Sequence, residues 1–179
     1  MIASRGLERV TFRAVADQAG FAPSTTSYFF SSVDDVIDAA ITQVAETVVI
    51  KVRTLTDRVH SGELDRDSVA LALTELVSTQ DTGDTTAQFE AYLAVRRRPD
   101  LQPSVDRIID AIELAASEAV SALGVAEPEA AARQFIAVID GFTLAQMAQP
   151  ERARIHAQNM RATLLRLMAT YDERTEASR

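Results

Sequence analysis

The chain has 179 residues, of which 47% are hydrophobic and 25% are charged, and these proportions are those of a folded globular protein. The sequence contains no cysteine, which excludes disulfides, thiolate metal ligands and a cysteine nucleophile. Its formal net charge of −8 argues against a surface of uniformly positive potential, although a local basic face could still bind DNA phosphates.

Neither a targeting leader nor a membrane span is predicted. The opening MIASRG lacks the charged region and the following apolar run of a leader peptide. No stretch reaches the roughly 20 apolar residues that a membrane span requires. We therefore expect a cytoplasmic protein that contacts no membrane. Six glycines, five prolines and 30 alanines favour helix over sheet.

Two short helices are predicted near the beginning of the chain. Thr11 is a suitable cap for the segment FRAVADQA, and Gly20 supplies the stop. Pro23 stands at a favoured first-turn position of the next helix. The polar pair Ser31 and Ser32 ends that helix.

A long amphipathic helix follows from Asp34. Its apolar residues recur in steps of three and four as far as Val59, which is the spacing of one buried helical face. The next helix is predicted over 66–80, with Asp65 as its cap. The segment DTGDTT contains no core-forming residue and is predicted to be a loop, followed by a helix over roughly 86–98.

Three further helices complete the predicted architecture. Prolines 103 and 128 begin the first two, and the third runs from Glu151 to about residue 172. There is no strand-like alternation and no repeat. The prediction is an all-α fold of eight or nine helices, in which a long helix joins a small amino-terminal unit to a larger bundle.

The segment VTFRAVADQAGFAPSTTSYFFSSVDDVIDAAI resembles the helix-turn-helix of the tetracycline-repressor (TetR) family of transcription regulators. The resemblance covers about residues 5–41. It includes the RGLERVTFRAVA start, the AG turn, the PST beginning of the recognition helix and the aromatic YFF at its end. It implies a DNA-binding domain over 1–40 and a ligand-binding and dimerisation domain over 41–179.

Packing and side-chain chemistry support the same interpretation of the segment. Val15, Ala16 and Ala19 are small apolar residues that let two helices cross closely, and Gly20 permits the turn between them. The resemblance implies that Thr11 binds a phosphate and that Arg13 reaches a base edge, most naturally guanine O6 and N7. The full predicted DNA-binding set is Thr11, Arg13, Ser24, Thr25, Ser27, Tyr28 and Phe29.

The recognition helix supplies five members of this set. Ser24, Thr25 and Tyr28 match positions that contact bases in the family, while Thr25 and Ser27 match positions that contact the DNA backbone. Phe29 stands where a histidine or tyrosine is frequent. Short hydroxyl side chains suit this role because bulky ones would hold phosphates and base edges at a distance.

Two features depart from the family pattern. Relatives usually carry a first helix of three turns or more, whereas only MIASRG precedes LERV here. Either translation starts earlier than Met1, or the small domain folds with an incomplete core and binds its operator weakly. At Val33 many relatives have a lysine that contacts phosphate, and its loss would remove about one unit of salt dependence.

Other interpretations stay open at this stage. The helical corner could be generic, and Arg13 could be merely solvated. We expect Phe30 and one of Tyr28 and Phe29 to pack inward. The run Arg96–Arg98 could bind phosphate, but a basic helix end stabilised by the helix dipole explains it with less.

No catalytic, metal or cofactor site is predicted. His60 and His156 are far apart, and neither stands in an HxxxH pair. No Ser-His-Asp arrangement, glycine-rich phosphate loop or paired-carboxylate motif is present. We therefore do not expect an enzyme.

A ligand pocket is predicted where Asp140 and Gly141 interrupt the apolar stripe of a buried helix. At such a place a carboxylate should be paired, a glycine could let helices approach closely, or both could line a cavity. Phe89, Tyr92 and Gln146 could join the pocket, although a stripe at helical spacing is more often core. The predicted ligand contacts are Phe89, Tyr92, Asp140 and Gln146.

The sequence thus predicts a ligand-responsive transcriptional repressor that binds a palindromic double-stranded DNA operator as a homodimer. An unknown small molecule would favour a tilted long helix and release the DNA. The alternatives are a helical homodimer that binds a small molecule or protein but has lost DNA binding, and an enzyme of unrecognised type. The last two helices should pair with their symmetry mates through Phe135, Val138, Phe142, Leu164, Met168 and Tyr171.

Overall fold

The structure is a computed structural model that describes residues 2–79, 82–125 and 127–177. Within these ranges the chain forms nine α-helices and no β-strand, which confirms the predicted all-α fold. Short 3-10 helices span Leu7–Arg9, Pro99–Leu101 and Pro150–Arg152. The α-helices are α1 (Ile2–Arg5), α2 (Phe12–Ala19), α3 (Pro23–Phe29), α4 (Val33–His60), α5 (Arg66–Thr79), α6 (Thr82–Ala94), α7 (Gln102–Ala122), α8 (Pro128–Ala148) and α9 (Ala153–Ala177).

The chain divides into two compact units that are each discontinuous in sequence. The first unit comprises Met1–Val48 and Asp81–Asp110, and the second comprises Val49–Gln80 and Ala111–Arg179. Helices α4 and α7 therefore contribute residues to both units. The predicted DNA-binding domain, 1–40, lies within the first unit, and its functional boundary stays a prediction.

Several helix ends form at the caps that the sequence predicts. The Thr11 Oγ1 accepts a hydrogen bond from the Ala14 N–H at 3.1 Å. Gly20 follows α2 with φ 73° and ψ 25°, a left-handed conformation in which a side chain would be strained. The Asp65 carboxylate accepts a bond from the Ser68 N–H at 2.8 Å, and its hydrogen bonds with Ser68 lower the pKa of Asp65.

The prediction of a loop over DTGDTT is wrong for its described part, because α6 begins at Thr82. Asp84 lies in the first turn, where a carboxylate interacts favourably with the helix dipole. Thr85 is buried, so a threonine takes the core position for which the sequence offered no obvious apolar residue. The same helix ends at Ala94 rather than near residue 98.

The first unit has a core that includes the residues before the helix-turn-helix. Helix α1 is four residues long and packs against α6. Ile2 and Leu7 are buried there, and α4 contributes Ile37 and Ile41, which are also buried. The short first helix is therefore part of the core of the first unit, packed against α6.

The second unit is built around α5, α8 and α9, and its core corrects the predicted dimer seam. Helix α9 packs against both α5 and α8. The rings of Phe135 and Tyr171 lie 6.5 Å apart between their centroids. Both residues are buried within this chain together with Leu164 and Met168, so these four residues are unable to form a seam with another copy. An apolar stripe shows that a face is buried, but not against which chain.

Candidate DNA-binding surface and effector residues

Helices α2 and α3 form a two-helix corner in which the second helix is largely exposed. The eight-residue α2 and the seven-residue α3 pack against each other on either side of the Gly20 turn. Ala16 is fully buried at this crossing and Thr26 is also buried. Val15 is half-buried, whereas Ala19 is exposed, so Ala19 does not play the packing role that the sequence predicts. This is the geometry of a helix-turn-helix.

The predicted DNA-contacting side chains are accessible on this corner. Six of the seven are exposed and Thr25 is half-buried. Tyr28 is 83% exposed and Phe29 is 71% exposed, so the expectation that one of them packs inward is wrong. Phe30 is half-buried, and the buried Thr26 takes the inward position on α3. A seven-residue helix has room for few inward positions, which leaves both rings in solvent.

The hydroxyl groups of the corner retain hydrogen-bonding capacity for a partner. The Thr11 oxygen accepts the Ala14 N–H, so its own O–H remains able to donate to a phosphate. The Ser27 Oγ donates to the Ser24 carbonyl at 3.1 Å, so its lone pairs remain able to accept. The helix therefore orients each of these two hydroxyl groups, and each keeps a free donor or acceptor with which it can bind DNA.

A shallow depression runs along the outer face of α2. It has a volume of about 450 Å³ and is lined by Thr11, Arg13, Ala14, Asp17 and Gln18. The nearest approach of Arg13 to Asp17 is 3.9 Å between Nε and a carboxylate oxygen. Because these two side chains are 85% and 65% exposed, this pair constrains Arg13 weakly. Asp17 and Gln18 were not predicted as part of this surface; Asp17 is four residues after Arg13 and therefore lies on the same face of α2.

A group of ion pairs holds the beginning of α4 to the segment that follows α6, within the first unit. The Arg98 Nη2 lies 2.6 Å from the Asp34 carboxylate and 2.5 Å from that of Asp100. Hydrogen bonds to Asp100 and Asp34 raise the pKa of Arg98, and the bond from Arg98 lowers the pKa of Asp100. One turn along α4, Asp38 accepts hydrogen bonds from Ser104 and from Arg107.

These contacts add ion pairs to the predicted basic helix end. Arg96–Arg98 follow Ala94, the last residue of α6, so they lie next to the negative end of its dipole. Arg98 also binds two carboxylates, and Arg97 lies 3.6 Å from Glu8. Through these ion pairs, the arginine run contacts Glu8, which precedes the helix-turn-helix, and Asp34 at the beginning of α4.

The predicted ligand contacts fall into two pairs, one in each unit. In the first unit, Phe89 is buried and its ring packs edge-on against that of Tyr92 at 6.1 Å. The Gln88 Nε2 donates to the Tyr92 hydroxyl at 3.0 Å. In the second unit, Asp140 and Gln146 are both half-buried on α8.

Asp140 and Gln146 carry polar groups that the described residues leave unsatisfied. Burial raises the pKa of Asp140 to about 6, and no described residue pairs with its carboxylate or donates a hydrogen bond to it. The Gln146 Nε2 is buried without a hydrogen-bond acceptor among the described residues. Gly141 is exposed, and a Cβ there would meet nothing within 4 Å, so it does not mark a close helix approach. The Gln146 amide nitrogen is costly to leave unsatisfied, whereas the Asp140 carboxylate is only half-buried. The ligand pocket therefore stays a prediction.

Neither histidine belongs to a metal-binding cluster among the residues that the structure describes. His60 is exposed, and the His156 Nε2 lies 3.2 Å from the Gln149 Oε1. Among the residues with described positions, no three metal-binding side chains come together. No helix in the described part of the chain is long and apolar enough to cross a membrane.

The fold and its exposed helix-turn-helix define a transcription regulator of the helix-turn-helix class. The family described as "Tetracyclin repressor-like, C-terminal domain" matches residues 64–170, which is more than half of the chain. The chain therefore belongs to the TetR family. No curated protein matches the sequence.

Solved structures of regulators share the fold over almost the whole chain. A TetR-family member from Streptomyces coelicolor is 25% identical with a TM-score of 0.71, over 92% of this chain and 90% of that chain. A TetR-family transcriptional regulator from a Rhodococcus species is 16% identical with a TM-score of 0.76, over 93% of this chain and 92% of that chain.

A multidrug binding protein is similar as well. The protein EbrR, complexed with imidazole, is 26% identical with a TM-score of 0.66, over 93% of this chain and 87% of that chain. The same protein complexed with proflavin aligns with a TM-score of 0.63. The similarity to these proteins extends over nearly the full chain.

Proposed function

We propose that the protein is a ligand-responsive transcriptional repressor, which binds a palindromic operator as a homodimer in the cytoplasm and is released by a small molecule. The observation that carries this proposal is the exposed helix-turn-helix, on which six of the seven predicted contact side chains face solvent. The family supports DNA binding and ligand binding as a class of function, since such regulators share the whole fold.

The proposed DNA contacts combine phosphate anchoring with base reading. Thr11, at the start of α2, donates its free O–H to a phosphate, and the positive end of the helix dipole favours the same anion. Arg13 is long, exposed and weakly paired, so it can turn toward guanine O6 and N7. Helix α3 enters the major groove with Ser24, Thr25 and Ser27 against base edges and backbone.

The test is selection of bound fragments from random duplex DNA with the full chain, followed by gel shifts on the selected site. We expect Arg13→Ala to weaken binding by about 10-fold or more, which corresponds to the 1 to 3 kcal/mol of a good base contact. Arg53→Ala is the matched control, because the Arg53 Nε also lies 3.9 Å from a carboxylate, that of Glu118, on an exposed surface.

The outcomes separate the candidate functions. If Arg13→Ala binds as tightly as the wild type, the assigned role of Arg13 is wrong. If no duplex is retarded even at low salt, the DNA-binding function is wrong and the alternative of a homodimer that binds only a small molecule or protein takes its place. Turnover lost on changing Asp140 would instead indicate an enzyme.

The proposed dimer interface lies on the outer faces of α8 and α9, in place of the buried stripes that the sequence indicated. Exposed small and apolar residues recur there at helical spacing, and small residues allow helices to pack closely. Two recognition helices about 34–36 Å apart are needed to read a palindrome. The exposed positions are Ala137, Gly141, Leu144 and Ala148 on α8 and Ile155, Ala162 and Ala169 on α9.

A charge within this face should prevent dimerisation. Leu144 is 46% exposed on α8, and Leu114 is 58% exposed on α7, so both accept a long polar side chain without a change in the core. We expect Leu144→Arg to sediment as a monomer at micromolar concentration and Leu114→Arg to remain a dimer. If Leu144→Arg and Leu114→Arg both sediment with the mass of the wild-type dimer, the interface lies elsewhere.

We propose a small aromatic cation as the effector. Its support is the unpaired Asp140 carboxylate and the similarity to EbrR, whose complex contains proflavin, a flat aromatic cation at neutral pH. Asp140 and Gln146, both in the second unit, are the proposed contacts of this effector. Phe89 and Tyr92, in the first unit, stay a separate prediction of a ligand contact. With a pKa of about 6, Asp140 is mostly ionised at pH 7.5 and able to bind a cation.

Proflavin itself is the probe for this part of the proposal. Its fluorescence titration should give a dissociation constant that rises about 10-fold or more in Asp140→Asn, because a charged hydrogen bond or ion pair in a partly buried site is lost. Asp57→Asn, an exposed change on α4, should leave the affinity unchanged. Equal affinities in all three proteins would show that Asp140 is not a ligand contact.

A further inference from the structure

The recognition helix has an unusual chemistry for a DNA-reading surface. Its sequence, PSTTSYF over Pro23–Phe29, contains no guanidinium, ammonium, carboxamide or carboxylate. The side chains that read guanine and adenine by paired hydrogen bonds are arginine, lysine, asparagine and glutamine. Helix α3 therefore has no means of making such a bidentate contact with a base.

Two aromatic rings dominate the exposed surface of α3 instead. The Tyr28 and Phe29 rings pack edge to face with centroids 5.2 Å apart and an interplanar angle of 89°. They are 83% and 71% exposed, so the pair shields only a small part of either ring from water. Large exposed apolar groups next to one another on a small protein mark a binding surface. The pair adjoins Ser24 and Ser27, so it is continuous with the proposed DNA-contacting surface.

The major groove offers a single apolar group that such rings can cover. Among the four bases, only thymine displays a methyl group at its groove edge. Phe29 has no polar atom, so it is unable to donate to a phosphate, and its burial releases no counterions. Tyr28 has one hydroxyl, which can reach a phosphate while the ring face covers a methyl group.

We propose that the Tyr28–Phe29 pair reads thymine methyl groups in the operator half-site. This inference rests on the proposed DNA-binding function and names the base chemistry that α3 recognises. It divides the reading of the half-site between Arg13, which selects guanine, and the aromatic pair, which selects thymine. The thymine contacts add specificity without adding to the salt dependence of binding.

The test removes single methyl groups from the DNA. In the duplex selected by the full chain, deoxyuridine replaces thymidine at one position at a time, which deletes the 5-methyl group and leaves base pairing intact. At one or two positions in each half-site we expect the dissociation constant to rise about fourfold, the effect of one buried methyl group. A second comparison replaces the T·A pair at the same position with a C·G pair, with or without a methyl group at C5 of the cytosine. We expect the duplex with 5-methylcytosine to bind more tightly than the duplex with unmethylated cytosine.

Protein variants then identify which rings read the methyl groups. Phe29→Ala should bind the thymine and uracil duplexes equally, with the same salt slope as the wild type. Tyr28→Ala should also lose its discrimination between the two duplexes. Phe21→Ala is the matched control, because Phe21 is 63% exposed on the same unit but precedes α3, and it should retain the preference for thymine.

Each result has a distinct meaning. If the wild type binds its selected duplex and uracil substitution changes the dissociation constant at no position, the inference is overturned while the proposed function stands. If alanine variants at Tyr28 and Phe29 keep the full thymine preference, the rings are not its source. If no duplex is selected at all, the proposed function itself fails.

Discussion

Aromatic side chains have opposite environments in the recognition helix and in the second unit. Tyr28 and Phe29 are 83% and 71% exposed, whereas Phe135 and Tyr171 are 5% and 4% exposed. Burial of a large ring is among the strongest stabilising contributions to a fold. The two rings of α3 make almost no such contribution to the monomer. The comparison teaches that the same residue type can be core in a long helix and exposed in a short one.

Truncation of a buried side chain in the second unit is the largest effect that this comparison predicts. Leu164 is fully buried in the core between α5, α8 and α9, whereas Leu114 is 58% exposed. We expect Leu164→Ala to lower the free energy of unfolding by about 2 to 5 kcal/mol and Leu114→Ala by about 0.5 kcal/mol or less. Urea denaturation followed by circular dichroism measures both. Similar losses in the two variants would show that the assignment of the core is wrong.

The titration of Asp140 should give the next largest effect. The pKa of its carboxyl group is raised from 3.8 to about 6 by burial, so the folded state binds more protons than the unfolded state between these pH values. Stability from this group is therefore greatest at low pH and falls as pH rises through 6. At pH 7 the charged form costs up to about 3 kcal/mol.

Asp140→Asn removes this cost. We expect the variant to exceed the wild type in unfolding free energy at pH 7, by an amount that shrinks as the pH falls toward 4. Urea denaturation of both proteins across this pH range measures the difference in unfolding free energy. The other titrating groups contribute equally to both proteins, so their effect is absent from the difference. A difference that does not depend on pH would show that Asp140 titrates normally.

The ion pairs of Arg98 should contribute a smaller amount to the first unit. The Arg98 side chain is 24% exposed and binds two carboxylates, whereas the Arg97 side chain is 58% exposed and lies 3.6 Å from one carboxylate. We expect Arg98→Ala to lower the unfolding free energy by about 1 kcal/mol and Arg97→Ala by less. Faster amide hydrogen exchange at the beginning of α4 in Arg98→Ala alone would confirm where the effect acts, and equal exchange in both variants would contradict it.

The smallest predicted effect is that of a positive charge added beside the proposed DNA-contacting surface. Val33 is half-buried at the first position of α4, where many TetR relatives have a phosphate-binding lysine. We expect Val33→Lys to steepen the dependence of log Kd on log salt by about 0.9 for each added phosphate contact. Ile50→Lys is the control, since Ile50 is 64% exposed on α4 in the second unit, and it should leave the slope unchanged. An unchanged slope in both variants would place Val33 away from the DNA backbone.

Much of the fold follows from local signals in the sequence. Thr11, Gly20 and Asp65 act at helix ends through their own side chain or their own backbone conformation, so neighbouring residues are enough to identify them. The start of α6 could not be predicted because its segment offers no apolar residue, and Thr85 takes the buried position. Helix α6 packs against α1, a contact between distant segments that a local pattern does not contain.

The predicted site residues show the same division. The exposed hydroxyls of α3 could be assigned because the resemblance fixes their positions on one short helix. The ion pairs of Arg98 could not be predicted, since Asp34 is 64 residues away in sequence. The same limit applies to the dimer seam, for which the sequence indicated Phe135 and Leu164 although both lie in the core of their own chain.

The sequence by itself determined that this protein is helical, where the turn between α2 and α3 lies, and which family its amino-terminal segment resembles. These properties depend on residues within a few positions of one another, through caps, helical periodicity and turn conformation. Only the tertiary structure decided which apolar faces meet inside the chain, that Tyr28 and Phe29 stay in solvent, and that Arg98 binds Asp34. Those outcomes depend on distances between segments far apart in the chain, and side-chain patterns specify a buried face without specifying its partner.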